Sequence, residues 1–255
     1  MAKRGFAPNP RSGQPRSTSP KATHLADALR QVASCLEQRQ FAAAESLLEP
    51  WLGQSLSPEE SLSLLDHQAA LALLQAEYKR VIQLLEPAEG LVAAHPGLLQ
   101  KLASAYRNTG DSARAVVLLQ RVRDLNDQDP DVHYNLGNAL RDQGELAEAV
   151  QCFSRSIALG GQRPNYYNNL GVVLRDLKST AEAERAFRQG LALDPASRNL
   201  CFNLSSMLAD LERHQEALEV LAQLPQNPDD ADLLYNQALS FEAIGQSEAA
   251  LDRLQ

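Results

Sequence analysis

Asparagine residues recur at a nearly fixed spacing in the second half of the chain. Asn135, Asn169, Asn203 and Asn236 are separated by 34, 34 and 33 residues. A carboxamide both donates and accepts hydrogen bonds, so a row of such groups can pair with the backbone of an extended peptide whatever its side chains are. If regular elements present these residues on one surface, the chemistry they support is binding of a polypeptide rather than catalysis.

The residue types that perform catalysis or bind metals are dispersed along the chain. The three cysteines, Cys35, Cys152 and Cys201, form no CxxC pair, which is typical of small buried residues in a reducing compartment. No HExxH, GxSxG or phosphate-binding glycine loop occurs. We therefore expect no enzyme active site, no cofactor and no metal site. The histidines are equally scattered, at His24, His67, His95, His133 and His214.

Composition and charge narrow the class of partner. The formal net charge is −8; residues 1–26 carry +5, so the remainder carries −13 (−13 + 5 = −8). An acidic body disfavours nucleic acid and anionic membrane surfaces, because both require a basic face. No apolar run approaches the roughly 18–20 residues that span a bilayer. The basic start lacks the apolar segment of a signal peptide, which predicts a cytoplasmic protein.

The elements that position the asparagines repeat every 34 residues or so. Two apolar-periodic stretches of about a dozen residues occur in each unit, separated by a turn signal at Gly110, Gly144 or Gly245 and followed by a proline-bearing link. This pattern predicts helix A, a tight turn and helix B in every unit, and therefore an all-α protein. Two columns hold the register: small residues at Ala115, Ala149, Ala183, Ala217 and Ala250, and bulky residues at Leu119, Phe153, Phe187, Leu221 and Leu254.

These units resemble tetratricopeptide repeats. The family pattern is matched best at 130–163 and 164–197, whereas its tryptophan at position 4 is replaced by His133, Tyr167 and Cys201 in successive units. The resemblance implies a right-handed α-solenoid of about seven helix-turn-helix units that begin at residues 25, 62, 96, 130, 164, 198 and 231. The asparagine-lined subtype resembles the arm that precedes the catalytic domain in O-linked GlcNAc transferases.

The predicted organisation has three parts. Residues 1–22 form a disordered basic tail, since proline is frequent and apolar surface is scarce there. Residues 23–95 contain two divergent units, and residues 96–255 contain five units, of which the last is incomplete. No polar capping helix follows, so we expect either a fragment of a longer protein or a final helix that a partner covers.

The resemblance also implies which residues line the groove, since A helices form the concave face of such arrays. The expected peptide-binding residues are Tyr134, Asn135, Asn138, Arg141, Asn168, Asn169, Phe202, Asn203, Tyr235 and Asn236. The Lys and Arg pattern of the carboxylate-clamp subtype is absent, which disfavours acidic C-terminal tails as ligands. Neighbouring columns of Arg (107, 141, 175) and Asp (142, 176, 210) are interpreted as an ion-pair row between units.

Two functions of different class follow. The first is a scaffold or adaptor, not an enzyme, that binds an extended segment of another protein in the groove. The alternative is the substrate-recognition arm of a larger glycosyltransferase or sulfotransferase whose catalytic domain is absent from these residues. Self-association through the last repeat is a third interpretation.

Overall fold

The structure, a computed structural model, describes the backbone of residues 20–227 and 229–254. Within these residues the chain is α-helical with short turns and has no strand, which confirms the all-α prediction. Residues 1–19, most of the predicted tail, lie outside the described residues. The first helix begins at Pro20, so it includes the last three residues of the predicted tail, 20–22.

The chain divides into two compact bodies: along the sequence, the first ends at Gln75 and the second begins at Ala76. The N-terminal body contains α1 (Pro20–Glu37), α2 (Phe41–Leu48), a 3-10 turn (Glu49–Trp51) and α3 (Pro58–Leu74). Its three helices pack against one another around a core of Leu25, Leu29, Val32, Ala44, Leu48, Leu64 and Leu71. The boundary between the bodies falls inside the second predicted unit, 62–95.

The C-terminal body is a succession of helices in which, from Pro96 onward, each contacts the one that follows it. They are α4 (Tyr78–Leu85), α5 (Glu89–Val92), α6 (Pro96–Asn108), α7 (Ser112–Leu125), α8 (Pro130–Gln143), α9 (Leu146–Ala158), α10 (Pro164–Asp176), α11 (Thr180–Leu193), α12 (Arg198–Asp210), α13 (His214–Leu221), α14 (Ala231–Ala243) and α15 (Ser247–Leu254). From α6 onward, the even-numbered helices are the A helices and the odd-numbered ones the B helices. Each B helix packs against its own A helix and the next one, as an α-solenoid requires.

The repeated small and bulky residues form the core of this body. Ala149 and Ala183 are fully buried, and so are Phe153 and Phe187. Small residues allow helices A and B to approach closely: a Cβ atom added at Gly171 would lie 2.5 Å from the Phe187 ring. The two columns therefore work as a pair, because the ring of each B helix fills the space that a small residue of helix A leaves.

One backbone feature marks the turn between helices A and B in all seven units. Position 15 of every unit is left-handed, with φ between 57° and 90°. Glycine occupies it in three units, whereas Arg39, Ala76, Lys178 and Glu212 occupy it in the other four. Arg39 and Ala76 thus have the same backbone geometry at this position of the two divergent predicted units.

A non-glycine residue in this conformation is strained, which leads to a stability prediction. Lys178→Gly is expected to raise the free energy of unfolding by about 0.5–1 kcal/mol, because relief of roughly 1–2 kcal/mol of left-handed strain outweighs the added entropy of the unfolded chain. Lys178→Ala is the matched control and should bring no gain. Urea unfolding measures both. A Lys178→Gly variant no more stable than Lys178→Ala would contradict this explanation.

Ion pairs between successive A helices add a pH-dependent contribution. Arg198 at the start of α12 donates to Asp230, the N-cap residue of α14, with an Nη2–Oδ1 distance of 2.8 Å. This contact lowers the pKa of Asp230 from 3.8 to about 2. A depressed folded-state pKa stabilises the protein above the unfolded pKa, and that contribution is lost as the pH falls towards the folded one.

We therefore expect wild type to be more stable than Asp230→Asn at about pH 5, with the difference shrinking as the pH falls from about 4 to about 2. Urea midpoints of both proteins across this range measure the difference. A gap that stays constant with pH would show that Asp230 acts through its shape and hydrogen bonds alone.

Candidate functional site

The A helices lie side by side along one face of the C-terminal body: α6 contacts α8, α8 contacts α10, and α10 contacts α12. The asparagine column, which is position 6 of the last four units, lies on the A helices α8, α10, α12 and α14. The structure thus places the predicted residues on consecutive parallel elements. What each asparagine does depends on the residues opposite it on the preceding A helix.

Asn169 joins α10 to α8 through two hydrogen bonds. Its Nδ2 group donates to the hydroxyl of Tyr134 at 3.0 Å and to Oδ1 of Asn138 at 2.7 Å. Asn138 is buried, with 4% of its surface exposed, so the second bond satisfies an acceptor that has little access to water. Asn169 is therefore a structural link between two repeats as well as part of the predicted surface.

Asn203 makes the corresponding link from α12 to α10. Its Nδ2 group donates to Oδ1 of Asn168 at 2.8 Å, and Asn168 in turn donates to Oδ1 of Asn169 at 3.3 Å. A continuous chain of carboxamides thus runs from α12 to α8. We call these residues and Tyr134 the amide network: Tyr134, Asn138, Asn168, Asn169 and Asn203.

The other two asparagines of the column lie outside this network. Asn236 faces a unit whose position 5 is Phe202, which has no acceptor, and its Nδ2 group donates instead to the Asp232 carbonyl of its own helix at 2.7 Å. Asn135 is half-buried and makes no side-chain hydrogen bond to any described residue. Asn169 and Asn203 thus bond to position 5 or 9 of the preceding unit, whereas Asn135 and Asn236 do not.

Tyr134 is held in place by residues outside the expected peptide-binding set. Its ring stacks on Tyr166, with centroids 4.4 Å apart, and its hydroxyl also accepts from Asn165 Nδ2 at 3.2 Å. Tyr166 is fully buried and donates its hydroxyl to Asp131. Burial, followed by this carboxylate, raises the pKa of Tyr166 well above its usual value. The only sequence signal for these partners is the Asn-Tyr-Tyr run that begins α10.

The amide network leaves hydrogen-bonding capacity on the surface. Tyr134 accepts two bonds, so its own O–H remains available as a donor. Asn168 and Asn203 each have an N–H and an oxygen lone pair unused by described residues, whereas Asn169 has used both N–H groups. A peptide backbone needs a donor and an acceptor together, and Asn168 and Asn203 supply both.

The surface becomes apolar towards α14. Tyr235 is 57% exposed and Leu239, one turn later, is 47% exposed. Phe202 on α12 packs partly against the core, and the Arg198 guanidinium lies 4.6 Å from its ring centroid. Phe202 and Tyr235 were expected here; Leu239 was not, although it shares position 9 with Asn138.

The predicted row of ion pairs between units forms at one place. Arg107 pairs with Asp142 of the next unit at 3.3 Å. Arg141 pairs with the adjacent Asp142 at 3.3 Å, and Arg175 lies 4.0 Å from the adjacent Asp176. Side chains one residue apart interact weakly in solvent. Arg141 and Arg175 are about one-third exposed, so their guanidinium groups stay available at the edge of the surface.

Asn169 and Asn135 occupy the same position of successive units, and comparing them tests the structural role of the amide network directly. Asn169→Ala is expected to lower the free energy of unfolding by about 1–2 kcal/mol, because two hydrogen bonds of about 0.5–1.5 kcal/mol each are lost and a buried acceptor is left unpaired. Asn135→Ala, at the same position of the preceding unit, should cost under about 0.5 kcal/mol. Urea unfolding of both variants measures this. Equal losses would contradict the assignment.

In the part of the chain that the structure describes, possible metal ligands are not grouped and the buried thiol is unreactive. No group of three His, Cys, Asp or Glu side chains is placed to hold a metal among the described residues. Burial raises the pKa of the Cys201 thiol to about 11, so this thiol is protonated at neutral pH and a poor nucleophile. None of the described helices has the length and apolar character to cross a bilayer.

Three models of one family match the chain. Each is described as tetratricopeptide repeat, and they match residues 98–128, 128–196 and 168–231. Together they extend over residues 98–231, slightly more than half of the chain. The matches confirm the resemblance in the middle units, where the 34-residue register is strictest. No curated protein sequence matches the chain.

Solved structures share the fold. A protein from the functional characterisation of Pseudomonas aeruginosa pilF is 16% identical with a TM-score of 0.64, covering 77% of this chain and 90% of its own. YrrB, described as a TPR protein with an unusual peptide-binding site, is 21% identical with a TM-score of 0.54, covering 66% and 88%. MamA from Desulfovibrio magneticus RS-1 is 19% identical with a TM-score of 0.58, covering 64% and 92%.

Proposed function

Because the chain carries tetratricopeptide repeats, we propose that it is a protein-interaction scaffold that binds an extended peptide across its A helices. The observation that carries this proposal is the amide network. It holds polar side chains from three successive repeats in fixed positions, and their spare hydrogen-bonding groups can pair with a peptide backbone. Fixed groups lose little conformational entropy when a ligand binds, which favours affinity.

Residues around the network supply selectivity. Tyr235 and Leu239 offer exposed apolar area at the α14 end, where an aromatic or aliphatic side chain of the ligand can be buried. Arg141 and Arg175 offer cationic groups at the edge, where an acidic side chain fits. We therefore expect ligands with an apolar residue near one end. Their central side chains can vary, because the asparagines contact the backbone there.

We further propose that the array belongs to the asparagine-lined superhelical subtype, which resembles the arm of O-linked GlcNAc transferases. Support comes from the chain of carboxamides between α8 and α12, in which each link depends on an asparagine of the 34-residue column. One relative of the same fold, YrrB, is described as having a peptide-binding site, which is consistent with a peptide ligand on this fold.

A peptide selection tests the proposal. A displayed library of random, unstructured 12-residue peptides is selected against the full chain, and the winners are measured by fluorescence anisotropy. We expect ligands that share an apolar residue near one end but differ in their central positions. Failure to select any ligand, or ligands that bind only as preformed helices, would contradict an extended-peptide groove.

A further inference from the structure

A second concave feature lies in the C-terminal body, on helices α4 to α7. It is a cavity of about 360 Å³, within the range of roughly 300–1,000 Å³ that is typical of ligand sites. It is lined by Leu85, Glu86, Glu89, Val92, Leu99, Leu102, Tyr106, Ala113, Arg114, Val117, Leu118 and Arg121. None of these residues belongs to the amide network or was predicted from the sequence.

The cavity lies beside a break in a B helix. Helix α4 has eight residues and ends at Leu85. The B helices of the next three units, α7, α9 and α11, have 13 or 14 residues each. Pro87 explains the break, since a proline lacks the N–H that a continuing helix needs and clashes with the preceding turn. The chain resumes as the single turn of α5. The cavity is bordered by the end of α4, by α5 and by α7, with α6 as its floor.

The interior is apolar and one wall carries an unusual exposed residue. Leu85, Val92 and Leu99 at its base are no more than 2% exposed. Val117 on α7 is 65% exposed, whereas the same position of the following B helices holds Gln151, Arg185 and Glu219. An apolar side chain thus faces solvent beside the cavity at a register position that is polar in each of the next three units.

The rim of the cavity carries two kinds of charged residue. Some are hydrogen-bonded to one another, and two form no ion pair with a described residue. Tyr106 donates its hydroxyl to Glu86, and Arg114 contacts both, at 3.2 Å from the hydroxyl and 3.3 Å from the carboxylate. Arg121 on α7 and Glu89 on α5 form no ion pair with any described residue. Arg121 follows Val117 by one helical turn, so the two occupy the same face of α7.

The cavity is a different surface from the amide network. Helix α6 contributes Leu99, Leu102 and Tyr106 to the cavity. Its Arg107 instead reaches Asp142 on the next A helix, on the side of the row of A helices. A ligand in the cavity therefore leaves the A-helix surface free for a second ligand.

We propose that this cavity binds an amphipathic helix of a partner protein, which makes the chain an adaptor for two partners at once. Apolar side chains one turn apart on that helix enter the cavity, an acidic side chain faces Arg121, and a basic one faces Glu89. The shape favours a helix, because helical walls and a helical floor form a groove into which the ridges of another helix pack. The charges set its orientation.

Selection from a displayed library of designed single helices, randomised on one face, tests the proposal on the full chain. We expect enriched helices to carry large apolar residues at i and i+4 with an acidic residue one turn away. Val117→Gln with Arg121→Glu should weaken a selected helix at least tenfold, as measured by fluorescence anisotropy. Arg155→Glu, at the position of Arg121 in the next unit and likewise exposed, is the matched control and should change affinity less than twofold.

Backbone NMR of the complex locates the site independently, with the largest shift changes expected on α4 to α7. The proposal is overturned if no helix is enriched, if both variants bind equally well, or if the shift changes lie on α8, α10 and α12. The last outcome would assign helical ligands to the amide network instead. Both Val117 and Arg121 are exposed, so their replacement leaves the core intact, and a thermal melt checks this.

Discussion

Replacing Phe187 by alanine is expected to lower the free energy of unfolding by about 3–5 kcal/mol, the usual cost of removing a buried phenylalanine. The ring is fully buried and fills the gap that Gly171 leaves between helices α10 and α11. Its core cluster also includes Leu200 and Leu204 of the next A helix. Loss of the ring therefore weakens contacts within one repeat and between two, which matters in an array held together by neighbours.

Further variants separate the loss of this packing from the general effect of placing alanine on helix α11. Leu193→Ala lies on the same helix but is 44% exposed, and it should cost under about 1 kcal/mol. Gly171→Ala should destabilise alone, because its Cβ would collide with the ring, but less so in a Phe187→Leu background. Urea unfolding of wild type, Gly171→Ala, Phe187→Leu and the double variant gives the coupling between the two sites. A Phe187→Ala loss below about 1.5 kcal/mol, or additive behaviour of the pair, would contradict the account.

Replacing Asn168 and Asn203 together by alanine is expected to weaken a selected peptide at least about tenfold. Each retains a donor and an acceptor for the peptide backbone, and hydrogen bonds of about 0.5–1.5 kcal/mol each need only sum to about 1.4 kcal/mol for this change. Fluorescence anisotropy with one labelled peptide measures it. Because the two residues also bond to each other, a modest loss of stability is expected as well.

A matched pair on the other helices controls for that loss. Gln151 and Gln189 are exposed carboxamides on the B helices α9 and α11, so Gln151→Ala/Gln189→Ala removes the same chemistry from another surface. Its affinity for the peptide should change less than twofold. Binding is compared well below the melting temperature of each variant. Equal weakening by both pairs, or none by either, would exclude a specific role for Asn168 and Asn203.

Much of the fold is predictable because it depends on local pattern. Alanines such as Ala149 and bulky residues such as Phe153 mark the core wherever the 34-residue register holds, and both are fully buried. Glycine at 110, 144 and 245 predicts the turn. At Lys178 and Glu212 the same left-handed turn occurs without a glycine, so the sequence does not indicate it. There, packing of the flanking helices outweighs the preference of a side chain for negative φ.

The site was less predictable, because hydrogen bonding depends on what lies opposite. Asn203 and Asn236 share a position and a residue type, yet the first bonds to the preceding A helix and the second to its own helix. The difference arises from Asn168 and Phe202 on the preceding units, 35 and 34 residues away. The cavity at Pro87 was missed for a similar reason, since a break in one helix creates space only in relation to its neighbours.

The central claim is that carboxamide side chains on consecutive A helices bind the backbone of an extended peptide. The most direct test measures the affinity of the full chain for one selected peptide and for copies N-methylated at single central backbone amides. We predict at least a tenfold loss at one or more of these amides and less than a threefold loss when the central side chains are changed to alanine. Full affinity after N-methylation at every central position, with binding lost on side-chain replacement, would contradict it.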